Sequence, residues 1–192
     1  MKTIDNGVGV IPLGRVPNVV LESLAAHIKT HLNVSAEILP GLEEPLYARD
    51  VKRRQYNAAS ILTSLETMAF ENHLKVLGVL NVDLFIPVFT HVFGEAREGG
   101  HCALVSLYRL RKNLDDSDPP VHHIVERAAK VALHEIAHLF DVPHCRDSGC
   151  LMHFSMNLSD LDRTPLEFCR YCKAMMDDVR KRWRVVPGWS KG

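Results

Sequence analysis

His134-Glu135-Ile136-Ala137-His138-Leu139-Phe140-Asp141-Val142-Pro143-His144-Cys145 is the stretch from which the rest of the chain can be read. His134 and His138 are four residues apart. On an α-helix they lie about 40° apart around the axis and reach one point in space. Neutral imidazoles in that geometry supply two of the three protein ligands that a catalytic zinc takes. Glu135 stands beside the first ligand, where it can take a proton from a water that the metal makes acidic near neutral pH. His144 comes six residues after His138, too far along for the same helical face. It becomes the third ligand only if the helix stops near Asp141 and the chain turns back.

The helix is built to carry such a site. Ala129, Ala132, Leu133, Ile136 and Phe140 form one apolar stripe roughly opposite the two histidines. One face then packs on a core while the other faces a cleft. Asp118 as N-cap with Pro119 in the first turn marks the expected start. A bare HExxH match can arise by chance in a chain with eleven histidines. The amphipathic context and the third histidine argue against coincidence.

The chain has 192 residues, of which 46% are hydrophobic and 24% charged, as in ordinary globular proteins. Its length suits one domain spanning 1–192. Residues 1–140 would hold the sheet and the helices up to the HExxH helix, and 141–192 a zinc-clipped C-terminal part. Lys and Arg total 23, as do Asp and Glu, so no broadly basic nucleic-acid surface is expected. Met1 to Gly14 lacks the apolar core and cleavage site of a secretory leader, and no apolar run reaches membrane-span length. A cytoplasmic monomer without nucleic-acid or membrane partners is expected.

Strands are expected at Gly7 to Leu13, Val34 to Leu39 and Lys75 to Leu80, the last continuing towards Asp83-Leu84-Phe85. Helices are expected from Pro17 to Leu32 and from Tyr56 to Phe70. Two further strands, Thr90 to Phe93 and Cys102 to Leu107, would be joined through a turn region at Gly94 to Gly100. Alternating strands and helices followed by a strand pair predict an α+β fold with a mixed sheet. His27, His31, His73, His91 and His101 have no ligand-like spacing and read as surface or satisfied positions. His122 and His123 lie too far up the helix to join the triad. Arg109, Arg111 and Lys112 read as a solvated strand end, and Asp115, Asp116 and Asp118 as a polar loop.

Four of the five cysteines form two pairs, Cys145 with Cys150 and Cys169 with Cys172. Without a secretory leader, disulfides are disfavoured and a structural zinc held by four thiolates is favoured. Reduced core thiols and a redox Cys-x-x-Cys are the other readings, the latter lacking a thioredoxin-like context. Thr164-Pro165-Leu166-Glu167 fits a capping box, which would put Cys169 and Cys172 on one face of a C-terminal helix. Cys102, in an apolar strand, reads as a buried free thiol. The metal clip would fix the chain just beyond His144.

His134, Glu135, His138, His144, Cys145, Cys150, Met152, Cys169 and Cys172, in this order, resemble the archaemetzincins, a branch of the metzincin zinc peptidases. Asp83 to Ala96 (DLFIPVFTHVFGEA), Ser106 to Leu110 (SLYRL) and LMHFSMNLSDLD after the cysteines are similar too. The resemblance spans roughly Asp83 to Cys172. It implies a compact metzincin-like domain whose twisted mixed sheet has one antiparallel edge strand lining a substrate cleft. It also implies that Met152 is the family's Met-turn, an apolar floor beneath the metal. The family has Gly where this chain has Asp141. Asp can enter the left-handed conformation that such a turn needs at a cost of about 1 kcal/mol, so the turn is expected to survive.

Together these features predict a zinc-dependent peptidase with two zinc ions per chain. One is catalytic, on His134, His138 and His144 with Glu135 as base; the other is structural, on Cys145, Cys150, Cys169 and Cys172. Short peptides or accessible chain ends are the expected substrates. The alternative is a non-catalytic, zinc-stabilised peptide- or protein-binding protein with an impaired or closed histidine site. A zinc-ribbon nucleic-acid binder accounts for the cysteines alone.

Overall fold

The computed structural model describes residues 7–183 apart from 69, 71, 114 and 116. Strand β1 (Val8–Leu13) opens the fold and helix α1 (Asn18–Leu32) follows it. Next come β2 (Ala36–Ile38), β3 (Arg49–Asp50), β4 (Gln55–Asn57) and α2 (Ala58–Glu66). Strands β5 (Lys75–Leu80), β6 (Leu84–Ile86), β7 (Phe89–Val92), β8 (Gly94–Ala96) and β9 (Cys102–Ser106) complete the β-structure. Helices α3 (Val121–His138), α4 (Leu158–Arg163) and α5 (Arg170–Trp183) close the described chain.

The main sheet has strand order β2-β1-β5-β9-β8, parallel except for β8, which runs antiparallel to β9 at the edge. Its three inner strands are apolar on both faces, as a sheet covered on both sides requires. Val8, Val10, Leu77, Val79, Ala103 and Val105 pack under α1 and α3. Their alternate neighbours Ile11, Leu13, Val76, Leu80, Cys102 and Leu104 pack under α2. The stripe Ala129, Ala132, Leu133, Ile136 and Phe140 is buried, as its periodicity requires. The α+β fold and the antiparallel edge strand therefore agree with the sequence reading.

Several boundaries differ from expectation, each for a physical reason. A second sheet, β3-β4-β6-β7, was not foreseen, because its strands are two to four residues long. Leu84 to Ile86 belongs to it and does not extend β5. The stretch expected as a turn begins with β8 itself, and β7 pairs with β6 in the second sheet. Helix α2 starts at Ala58, because the Asn57 side chain caps it by accepting from Ser60 N at 3.2 Å. It ends at Glu66, short of the expected Phe70, and Ala69 lies outside the described residues.

Helix α3 starts after both prolines, since a residue preceding proline is pushed out of the helical region. Asp118 does not cap it and pairs with Lys112 at 2.7 Å. Asp116 of the expected polar loop lies outside the described residues. Arg109 is not a solvated strand end: its Nε and Nη2 donate to Asp83 at 2.6 and 2.7 Å. The capping box does not form either. Thr164 ends α4, its hydroxyl donating to Asp160 O at 2.9 Å, and α5 begins only at Arg170.

Candidate metal centre and cleft

Helix α3 ends as the triad requires. Asp141 N donates to His138 O at 3.0 Å and Val142 N to Ala137 O at 3.2 Å, the two bonds of a Schellman motif. Asp141 takes the left-handed position, with φ 60°. Val142 and Ala137 supply the apolar contact that accompanies such a turn. This reversal brings His144 back over the helix, so His134, His138 and His144 converge.

His134 Nδ1 donates to Leu151 O at 2.9 Å and His138 Nδ1 to Val142 O at 2.8 Å. A carbonyl only accepts, so both rings carry their proton on Nδ1 and present bare Nε2 lone pairs inward. Two of those lone pairs meet head-on, with His138 Nε2 3.1 Å from His134 Nε2, and His144 Nε2 closes the group at 3.3 Å from His138 Nε2. Nitrogen ligands on a tetrahedral zinc stand about 3.3 Å apart. Such crowding repels without a cation and is stable with one. Burial lowers the basicity of all three rings, His134 to about 3, which favours the unprotonated form that can ligate a metal.

Glu135 retains some surface at the floor of a cleft of about 430 Å³. Burial, with a smaller contribution from Glu95, raises its carboxyl well above the usual carboxylate range. Gly94 of β8 passes directly over it: a Cβ there would lie 2.7 Å from Glu135 Cγ.

The four cysteines also converge, with Cys145 Sγ 3.9 Å from Cys169 Sγ and all four thiols free. Thiolates on a tetrahedral zinc stand about 3.8 Å apart. Cys150 Sγ accepts from Met152 N at 3.4 Å and Cys169 N at 3.3 Å. The backbone N–H groups of Cys172 and Tyr171 bring the Cys169 thiol down to about 7, whereas burial pushes Cys150 and Cys172 up. Cys169 stands just before α5 and Cys172 in its first turn. Met152 is fully buried against Ala137 and Val142 in the same apolar cluster. The two clusters are coupled, because Leu151, whose carbonyl orients His134, lies between Cys150 and Met152.

Cys102 is buried and its thiol is pushed up to about 12 by burial. His122 and His123 stay outside the triad. His73 bonds Glu37 at 3.1 Å, and His27 stacks on His31. The sequence reading missed His91, Glu98, Phe89 and Phe154 as parts of the cleft wall. Phe89 and His91 alternate along β7, a period-two signal that four residues are too few to reveal. Among the described residues, no helix is long and apolar enough to cross a membrane.

The family model for peptidase family M54 matches residues 22–178. The archaemetzincin of Methanocaldococcus jannaschii is 35% identical over 167 residues, covering 87% of this chain and 90% of that protein. The crystal structure of the archaemetzincin from Methanopyrus kandleri superposes with a TM-score of 0.82 at 31% identity, covering 95% of this chain and 99% of that one. A zinc-dependent peptidase from Methanocorpusculum labreanum superposes with a TM-score of 0.80 at 28% identity, covering 88% of this chain and 100% of that one.

Proposed function

The chain belongs to peptidase family M54, the archaemetzincin zinc metallopeptidases, and from that premise we propose that Glu135 is the general base of its peptide-bond hydrolysis. His134, His138 and His144 would hold the catalytic zinc, and Cys145, Cys150, Cys169 and Cys172 a second, structural zinc. Zinc held by the histidines supplies Lewis acidity, which acidifies water and polarises a carbonyl.

Glu135 takes the proton of the attacking water and passes it to the departing amine nitrogen. Its burial suits that task, because a carboxylate in apolar surroundings is a stronger base than one in water. Gly94 holds β8 close above the carboxylate. The outer side of β8, at the end of the sheet, offers backbone groups for an extended peptide to add as a further strand. Short peptides or accessible chain ends are the proposed substrates, in keeping with the modest cleft. Efficient internal cleavage of denatured proteins would count against that choice.

The observation that carries this reading is the convergence of three Nε2 atoms in one cleft with a glutamate whose carboxyl is raised by desolvation. The test is metal content per chain together with peptide cleavage. His134→Ala should reduce two zincs to one and abolish cleavage. Glu135→Gln should keep both zincs and lose at least ~100-fold in turnover, the usual scale for a general base. One zinc in both wild type and His134→Ala, with no cleavage by either, would leave a cysteine-zinc binding protein.

A further inference from the structure

The three histidines are not held alike. His134 and His138 sit on α3, and each Nδ1 is tied to a backbone carbonyl. His144 lies beyond the helix in a segment without regular structure and is exposed. Among the described residues, no group accepts a hydrogen bond from its Nδ1. Its ring is packed instead by Phe154, edge to face, with centroids 5.1 Å apart and planes at 74°. Behind Phe154 stands Phe89, at 5.9 Å.

Phe89 is well anchored. It opens β7, pairs with Ile86 of β6, and is followed by Thr90, whose carbonyl accepts from Gln55 Nε2 at 2.9 Å. Both phenylalanines nevertheless keep over two-fifths of their surface exposed, 43% and 41%. Large apolar side chains left so open at a cleft, aligned ring on ring against a metal-site histidine, are poorly explained as core packing.

We propose that Phe154, backed by Phe89, is the positioning residue of His144, restraining its ring as the Leu151 and Val142 carbonyls restrain the other two. An imidazole on an irregular segment can rotate about χ1 and χ2. The edge contact with Phe154 selects the rotamer that turns Nε2 inward, which lowers the ordering cost of metal binding. The β6–β7 hairpin is thereby linked through two rings to the third ligand. The inference rests on the reading that the histidines hold a metal.

The test uses the full chain loaded with zinc, and the same chain loaded with cobalt(II) as a spectroscopic probe. In a chelator competition, Phe154→Ala should weaken the histidine site by roughly 10-fold, the lower end of the effect of losing an outer-shell partner. Its cobalt ligand-field bands should shift, while the thiolate-to-cobalt charge-transfer band of the cysteine site stays unchanged. Phe154→Leu, which keeps apolar bulk without a ring, should behave like the alanine variant. Phe154→Tyr should restore wild-type affinity and bands. Phe89→Ala should weaken the site less, and add little on top of Phe154→Ala.

Unchanged affinity and bands in Phe154→Ala and Phe154→Leu would overturn the proposal. So would equal weakening of both metal sites, which would mark Phe154 as a general packing residue. Failure of the underlying reading is separate: wild type and His134→Ala would then bind the same number of metal ions.

Discussion

Gly94 lies in β8 directly over α3, and a Cβ built on it would come within 2.7 Å of Glu135 Cγ, Leu104 O and Val131 Cγ1. One of those atoms is backbone of the neighbouring strand, so the collision cannot be relieved by a rotamer change alone. Gly94→Ala should therefore displace either β8 or Glu135. The expected result is a loss of about 1–3 kcal/mol of stability, typical of overpacking, with turnover falling more than the stability loss explains. Denaturant midpoints and peptide cleavage on one preparation check both. Thiol chemistry gives a second prediction at this scale. Cys102 is buried, with its thiol pushed up to about 12, and should resist alkylation at pH 8 in the native protein. After chelation, Cys169, at about 7, should be the first cysteine modified, as peptide mapping by mass spectrometry can show. The convergence of the three histidines and of the four cysteines was legible because it follows from their spacing along the chain. Gly94, Phe89 and Phe154 were not, because their roles arise from contacts between segments far apart in sequence.

The elements that frame the cleft depend on polar anchors as much as on periodicity. Helix α4 is tied to α3 by Arg127, itself buried, whose Nε and Nη2 donate to Asp162 at 2.6 and 2.7 Å. Its Nη1 also donates to the Leu110 and Lys112 carbonyls. The Arg127 guanidinium holds the Asp162 carboxyl below the usual carboxylate range. An unfolded Asp titrates at about 3.9. With the folded value depressed, this pair contributes its stability above that pH and loses it as pH falls through the folded value. Asp162→Asn should thus be less stable at pH 7 and flatter in its stability below pH 4. At pH 7 the loss should be about 2 kcal/mol, reduced from the ~3–5 kcal/mol of a fully buried pair because Asp162 is a third exposed. Urea titrations across pH 2–7 decide it, and coincident wild-type and variant curves would show that the pair contributes nothing. Long amphipathic helices and apolar strands were readable from the sequence, since burial of one face or both repeats along the chain. The second sheet was not, because its strands are shorter than one period-two repeat can establish.

At the scale of the whole molecule the core is divided unequally. Two large apolar clusters fill the faces of the main sheet and include none of the converging histidines or cysteines. The C-terminal part is held by a third, small cluster of Ala137, Val142, Cys150, Met152 and Cys172, two of whose five members belong to the group of converging thiols. Metal binding to such a site is itself folding free energy for the segment that carries the ligands. Removing zinc with a strong chelator should therefore loosen the chain from Val142 through α5 while the sheet persists. Hydrogen exchange followed by mass spectrometry should show protection lost in Cys145 to His153 and in the start of α5, and retained in β1, β5 and β9. The effect should also reach the histidine cluster, because the Leu151 carbonyl that bonds His134 lies between Cys150 and Met152. A cysteine variant such as Cys172→Ser should then weaken zinc at the histidines although no histidine has changed. Uniform loss of protection across the sheet would instead make the molecule one cooperative unit. Unchanged protection throughout would mean that apolar packing holds the C-terminal part without the metal.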